Sequence, residues 1–441
     1  MPGRQSRRSV LTAIAALPLT GALGACGGSG GGSGGTNSTR ITFWSAVRGS
    51  QEVVDAFNRT HDRIQVDYQQ VPTGGQGGYA KLSNAARAGN APDVATIEYP
   101  ELPGFAIDGV ATDITSLVSD RLRAKLLPQT LGLTTFQGRT FSVPLDIGPM
   151  VMHYRADLFE RYALTVPRTW DEYEQTARAV RRKAPDRRLG LFPTDGALNF
   201  AAYAWQAGAQ WFDTRDDAWN VSLTDRPTRR VAEYWQRLVD EDLVFMNPGE
   251  SRQFDAQVGN GQVLTRLSGA WDAGAQVNER PGQHGQWRIA PLPQWDQDRP
   301  AIGSHGGSTF AVTKDSRHPE AAMAFIEWQV THPDALRARL SSGASSAYPA
   351  APDLVPVGRE AFDRSYYGDQ DIYALFDEQA RTLREGWIWG PRMTATARVM
   401  QDGFARASGG AGTIIDSVRD AQVGTMPDLR ALGLSTTEHS T

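Results

Sequence analysis

The stretch "RITFWSAVRGSQEVVDAFNRTHDRIQVDYQQV", residues 40–71, reads as strand, helix and strand in turn. "RITFWSA" is a short apolar run that predicts a buried strand. In "SQEVVDAFNRTHD", Val53, Val54 and Phe57 fall on one helical face, and Ser50 is placed to cap its start. "RIQVDYQQV" then switches to period two, with Ile64, Val66 and Tyr68 alternating with polar residues. Downstream, "AARAGNAPDVATIEYP" ends a helix at Gly89 and Pro92 and adds a strand over Val94 to Ile97. Strands alternating with helices predict an α/β fold with a mainly parallel sheet. Ligands of such sheets bind beyond the carboxyl ends of the strands. That rule gathers Trp44, Ser45, Glu98 and Tyr99 on one rim.

Toward the amino terminus the composition changes. Met1 to Arg8 carry three arginines and no acid, and Val10 to Leu23 are apolar or small apart from Thr12 and Thr20. A basic start and a short apolar core ending in small residues make a secretory signal. A spanning helix needs ~20 apolar residues, and Pro18 and Gly21 interrupt this core. Arg7 and Arg8 stand directly before it, as in twin-arginine export signals. "LGAC" resembles a bacterial lipobox, with Leu23 and Ala25 fitting well and Gly24 less well. On that reading Cys26, the only cysteine, becomes the lipid-bearing mature end; the alternative is a plain signal peptide with an incidental thiol. Glycine and serine follow it and predict a flexible tether. "GGSGG" matches the serine-hydrolase G-x-S-x-G pattern twice, but without the strand before and helix after that the motif requires.

Beyond the tether about 400 residues remain, more than one core normally serves, so two domains are expected. The net charge of −4 is weak, and no basic stripe suggests a nucleic-acid partner. A single cysteine excludes a disulfide framework and a thiolate zinc site. Twelve tryptophans stand out; most suit a core, while several could serve as ligand platforms.

Further along, Phe141 to Leu145 and Met150 to Tyr154 predict strands joined by the irregular "DIGP". Thr169 and Glu172 make a capping box, with Trp170, Tyr173, Ala177 and Val180 on one helical face. Residues 190–295 read as helical and tryptophan-rich, ending in "VLTRLSGAWDAG", a strand and a glycine-flanked turn that presents Trp271. "WRIAPLP" and "STFAV" read as strands around the loop "GSHGG". The last hundred residues are mostly helical and contain "EGWIWGPRM".

Together these signatures resemble the carbohydrate-binding lipoproteins of bacterial ABC importers, extracellular solute-binding proteins of family 1. The pieces are "ITFWSA", "APDVATIEYPELPGFAIDGVATDIT", "GRTFSVPLDIGPMVMHYRADLFERYALTVPRTWDEY", "LSGAWDAG", "WRIAPLP" with "GGSTFAVTKDSRHPEAAMAFIEW", and "WIWGP". None is diagnostic alone; their order behind a lipobox carries the resemblance. It implies two α/β lobes of periplasmic-binding-protein type, joined by crossing segments and closing on a sugar. The chain should leave the first lobe near "LDIGP", return near "GSHGG" and leave again near "SSGASSAYPA". The expected organisation is a signal over 1–25, a lipidated tether over 26–39, lobe 1 over 40–147 and 303–345, and lobe 2 over 148–302 and 346–441. The resemblance further implies a monomer without cofactor or nucleic-acid partner. Anchored at Cys26 to the outer face of the membrane, it would deliver sugar to permease subunits.

A sugar site needs aromatic platforms and planar hydrogen-bonding groups. Trp44, Glu98, Tyr99, Trp271 and Trp389 are candidates on the first count or by strand-end position, with core packing the alternative for each tryptophan. Asp146 at the presumed crossing is a candidate acceptor, or a hinge cap. Asn199 and Trp211 are second-lobe candidates, with Asp195 and Gln210 beside them. Gly306, Gly307 and Ser308 would let backbone approach the ligand. His153 and His305 are isolated histidines, and "WDQDR" and "GDQD" lack the other positions of a calcium loop, so no metal is expected. Two rival readings remain. One is an anchored glycoside hydrolase or lyase using Glu98 and Asp146 as its carboxylate pair; the other is a binder of a non-sugar solute.

Overall fold

Period-two burial builds the first sheet. In β1 (Thr39–Ser45), Ile41, Phe43 and Ser45 are buried while Arg40 and Thr42 are exposed. The computed structural model describes residues 38–215, 218–343 and 345–438. The expected signal and almost all of the tether, Cys26 included, lie outside the described residues. Helix α1 (Ser50–Thr60) buries Val53, Val54 and Phe57, but its N-cap is Gly49 rather than Ser50. Gly49 adopts φ 78, and a Cβ there would strike the backbone of Arg339. Ser50 instead donates its hydroxyl to Val47 O at 2.7 Å and Ser45 Oγ at 3.1 Å. β2 (Ile64–Gln70), α2 (Gly78–Arg87), β3 (Val94–Glu98) and α3 (Leu102–Ile107) follow.

The short β4 (Val143–Pro144) joins this sheet, and beyond Asp146 the chain enters β5 (Met150–Arg155) in a different sheet. The second lobe includes α4 (Trp170–Lys183), β6 (Gly190–Pro193), α5 (Ala197–Ala207), β7 (Val244–Asn247) and β8 (Thr265–Gly269). α6 (Asp272–Glu279) and β9 (Trp287–Pro291) complete that run. The chain then returns as β10 (Ser308–Val312), giving a first sheet of order β2-β1-β3-β10-β4. α7 (Pro319–Thr331) and α8 (Pro333–Ser341) contribute Phe325, Ile326 and Leu336 to its core. α9 (Met393–Ser408) and α10 (Ile414–Ala431) close the second lobe.

Strand direction follows the crossings. β1 is parallel to β2 and β3, whereas β10, which arrives from the second lobe, is antiparallel to β3 and β4. In the second lobe β6 and β7 are parallel, and a parallel bridge joins Arg188 to Val263 beside β8. β5, which arrives from the first lobe, runs antiparallel to its neighbours β8 and β9. The first sheet is thus mainly parallel with one reversed strand, and in both lobes the strand that has just crossed runs against its neighbours.

Two of the cores sit on the first sheet: Ile41, Phe43, Phe57 and Phe325 on one side, Ile97, Leu102 and Phe105 on the other. The third and largest fills the second lobe. There Trp170, Tyr173, Ala177 and Val180 are all buried along α4. Thr169 caps that helix by accepting from Glu172 N at 3.0 Å, but Glu172 accepts from Arg168 N at 2.7 Å, so the capping box is half made. The stretch 190–295, read as helical, also carries β6 to β9 and a hairpin of Phe212–Arg215 with Ala218–Val221. Past the last crossing, Ala350, Ala351 and Leu354 still pack in the first core before the chain joins the second. Among the described residues no helix is long and apolar enough to cross a membrane.

Candidate functional site

The carboxyl ends of β1 and β3 form the rim that the α/β rule indicates. Tyr79, from α2, donates to Glu98 Oε2 at 2.9 Å, and its oxygen accepts from Glu98 N at 3.2 Å. One phenol therefore fixes both the backbone and the carboxylate of Glu98. Burial raises the pKa of that carboxyl above the usual range, Tyr79 opposes the rise, and Glu250 of the second lobe adds to it. Trp44 is half-buried, with Lys81 Nζ 4.3 Å from its ring centroid. Ser45, next along, is fully buried and serves as an internal knot, accepting from Thr96 Oγ1 at 2.8 Å.

From Tyr99 the contacts run without a break into the second lobe. The Tyr99 hydroxyl donates to Asp146 O at 2.9 Å, and Asp146 Oδ1 accepts from Ser308 N at 2.6 Å. Burial pushes the Asp146 carboxyl up to about 6, against the Ser308 N–H and the buried Arg339, which favour the anion. Gly307, at φ 105, lies against the Tyr99 ring, where a Cβ would stand 2.7 Å from a ring carbon. Gly306, at φ 80, lies against the Trp271 indole in the same way. Both positions demand glycine twice over, for the left-handed backbone and for the closeness of a ring. Trp271 Nε1 donates to His305 O at 2.9 Å, and the two rings meet edge to face at 5.5 Å. His305 Nδ1 lies 3.3 Å from Asn199 Nδ2 on α5. Burial pulls His305 down to about 4, so near neutral pH its ring is uncharged and Nδ1 can accept from the amide.

Glu98, Asp146, Asn199, Trp271, Gly307 and Ser308 are thus brought together, with Trp44 at the margin; Tyr99 lies among them but is a core residue, 1% exposed, its hydroxyl committed to Asp146 O. Trp271 does not stand on a free tip, as its glycine flanks suggested. It occupies the N-cap position of α6, half-buried, with its N–H committed to the returning crossing. Trp211 is a correction: it is a core residue, 1% exposed, donating Nε1 to Thr228 Oγ1 at 2.9 Å and packed between Phe200 and Trp387. Trp389 is a second correction, since it too is buried, with Trp387 at 5.1 Å and Trp205 at 6.2 Å. Both tryptophans of "WIW" pack against Trp205 of α5. Asp195 works indirectly, accepting from Gly249 N at 2.7 Å and Glu250 N at 3.0 Å and so fixing Glu250 opposite Glu98.

Three residues at the site escaped the reading of the sequence. Tyr79 gave no signal beyond an aromatic early in a helix. Glu101 sits three positions past Glu98, and burial pushes its carboxyl up to about 7 against a hydrogen bond from Thr394 and the charge of Arg392. His305 was weighed only as a metal ligand. Among the described residues no cluster of three histidine, cysteine or acidic side chains could hold a metal ion.

The profile of the bacterial extracellular solute-binding proteins matches residues 44–335. The chain belongs to that family. The solute-binding fold also recurs in solved structures. The galacto-N-biose/lacto-N-biose I-binding protein of an ABC transporter from Bifidobacterium longum, in complex with lacto-N-biose, superimposes with a TM-score of 0.81 at 26% identity, over 91% of this chain and 99% of that one. The arabinooligosaccharide-binding protein of Bacillus subtilis is 24% identical over 302 residues, 65% of this chain and 68% of its own length. An uncharacterised lipoprotein of Streptomyces antibioticus is 23% identical over 414 residues, 86% of this chain and 83% of its own. The Bifidobacterium and Bacillus relatives are named as binding proteins rather than enzymes.

Proposed function

We propose that this solute-binding protein captures a neutral oligosaccharide between its lobes and hands it to the permease of an ABC importer. In this reading Trp271 offers an apolar face to a pyranose ring while Glu98 and Asn199 exchange hydrogen bonds with its hydroxyls. The observation that carries it is the juxtaposition of the half-buried Trp271 indole, fixed through its N–H, with planar polar groups drawn from both lobes. The sugars named for the Bifidobacterium and Bacillus relatives support the same ligand class. Export and lipid attachment at Cys26 complete the proposal, holding the binder at the outer face of the membrane.

Titration calorimetry with galacto-, arabino- and malto-oligosaccharides tests the reading, with mass spectrometry of the recovered sugar. Saturable binding with intact sugar supports it. Cleaved sugar would favour the hydrolase or lyase, and no binding across the panel a non-sugar solute; either outcome would overturn the proposal.

A further inference from the structure

A few residues beyond the Glu98–Tyr99 rim, α3 of the first lobe meets the loop that leads into α9 of the second. Arg392 forks onto Asp108, Nη1 donating to Oδ2 at 3.2 Å and Nη2 to Oδ1 at 3.3 Å. One turn earlier on the same helix, a Cβ built on Gly104 would stand 2.7 Å from Pro391 O. At the start of the helix Thr394 and Arg392 both favour the anion of the Glu101 carboxyl, against its burial. The contact thus sets a guanidinium–carboxylate fork beside a bare glycine backbone.

None of these residues lies on a crossing segment. The chain passes between lobes near Asp146, near Gly306 and near Ser346, so a hinge rotation bends those strands and parts everything away from them. The α3 contact must therefore open and close with the cleft. Gly104 is the informative residue. It has no positive φ, so backbone strain does not explain a glycine there, and a glycine inside a helix weakens it. What does require a missing side chain is the carbonyl of Pro391, a backbone atom that cannot rotate aside.

We infer that Gly104 of α3 and Asp108 at its carboxyl end, with Pro391 and Arg392 of the facing loop, form a clasp that sets how firmly the lobes close. The clasp touches none of the proposed sugar-contacting side chains. It acts on how long a solute stays by setting the weight of the closed state, and bidentate Arg–carboxylate geometry fixes the register of closure. The inference rests on the proposed two-lobe capture mechanism but not on the ligand being a sugar.

Its test accordingly uses no ligand. In the full chain with Cys26→Ser, the pair Asp108→Cys and Arg392→Cys is treated with a short bis-maleimide, and the rate of internal cross-linking reports visits to the closed state. Adding Gly104→Leu should slow cross-linking at least tenfold, while the melting temperature of the unmodified variant stays at or above that of the parent. Equal rates with and without leucine would overturn the clasp. So would a melting temperature lowered by the leucine, since Gly104 would then be packed within its own lobe. An oligosaccharide panel that finds no binder leaves the cross-linking result standing, so the two proposals fail separately.

Discussion

Replacing Trp271 by alanine removes two things that the structure keeps distinct. One is the outer face of the indole, on which the proposed sugar ring would lie. The other is the Nε1 bond to His305 O at 2.9 Å and the contact with Gly306, which brace the returning crossing. The exposed face should contribute ~1–3 kcal/mol to binding, by the value for burying a large apolar side chain. That is about ten- to a hundredfold in affinity. The brace is a neutral hydrogen bond worth about 1 kcal/mol. Trp271→Ala should therefore weaken binding by about ten- to a hundredfold and destabilise the free protein by ~1–2 kcal/mol, clearly less than the ~3–5 kcal/mol expected of a core tryptophan. Trp271→Phe should separate the terms, keeping most of the stacking while losing the donor. Calorimetric titration and denaturant unfolding of both variants measure the two effects. If alanine leaves the affinity for an established ligand unchanged while lowering stability, the indole is only a strut, and the platform argument is wrong.

Trp211→Ala should behave oppositely, losing ~3–5 kcal/mol of stability because both its faces and its N–H are used internally. The pH dependence has a definite sign. Burial raises Glu101 to about 7 and Asp146 to about 6, so their contribution to stability is full below the ordinary carboxylate range and is lost as pH rises through those values. Glu101→Gln, with Glu98, Arg392 and Thr394 left around it, should flatten the fall in stability between about pH 5 and 8 that urea melts record. His153 and His305, both depressed to about 4, act in the other direction, and their contribution disappears only as pH falls from the ordinary histidine range through that value. Cys26→Ala should release the protein from membranes or leave its signal uncleaved, as fractionation and intact mass would record; unchanged attachment would sink the anchor.

What the sequence made legible follows the range over which each feature is determined. Strand and helix in residues 40–71 depend on spacing within a few positions, and they appear where the periodicity puts them. The crossings were legible because irregular "DIGP" and "GSHGG" interrupt strands whose apolar pattern then resumes. The environment of an individual tryptophan is another matter. "GAQWFD" puts Trp211 among small and polar neighbours, yet its burial is decided by Thr228 and by Phe200 and Trp387 from other elements. At Trp271 the glycine flanks correctly marked a break in the strand. They concealed that Asp272, paired with Arg266 at 2.7 Å, begins a helix at once and turns the indole toward His305.

The clasp lies further still from local reading, since Asp108 and Arg392 are 284 positions apart and neither stands in a pattern that names the other. The crossing segments, by contrast, were visible, and they join the site to the hinge. Asp146 is held by Ser308 on the returning strand, and Tyr99 of the first rim is held by the carbonyl of Asp146. Gly306 and Gly307 receive the rings of Trp271 and Tyr99 on that same return. A solute that donated to the Asp146 carboxylate would share it with the Ser308 N–H on Oδ1, so in the proposed mechanism ligand contact and hinge geometry would meet at one side chain. In that mechanism binding energy at such a residue would act directly on the angle between the lobes, with no separate relay to turn capture into closure.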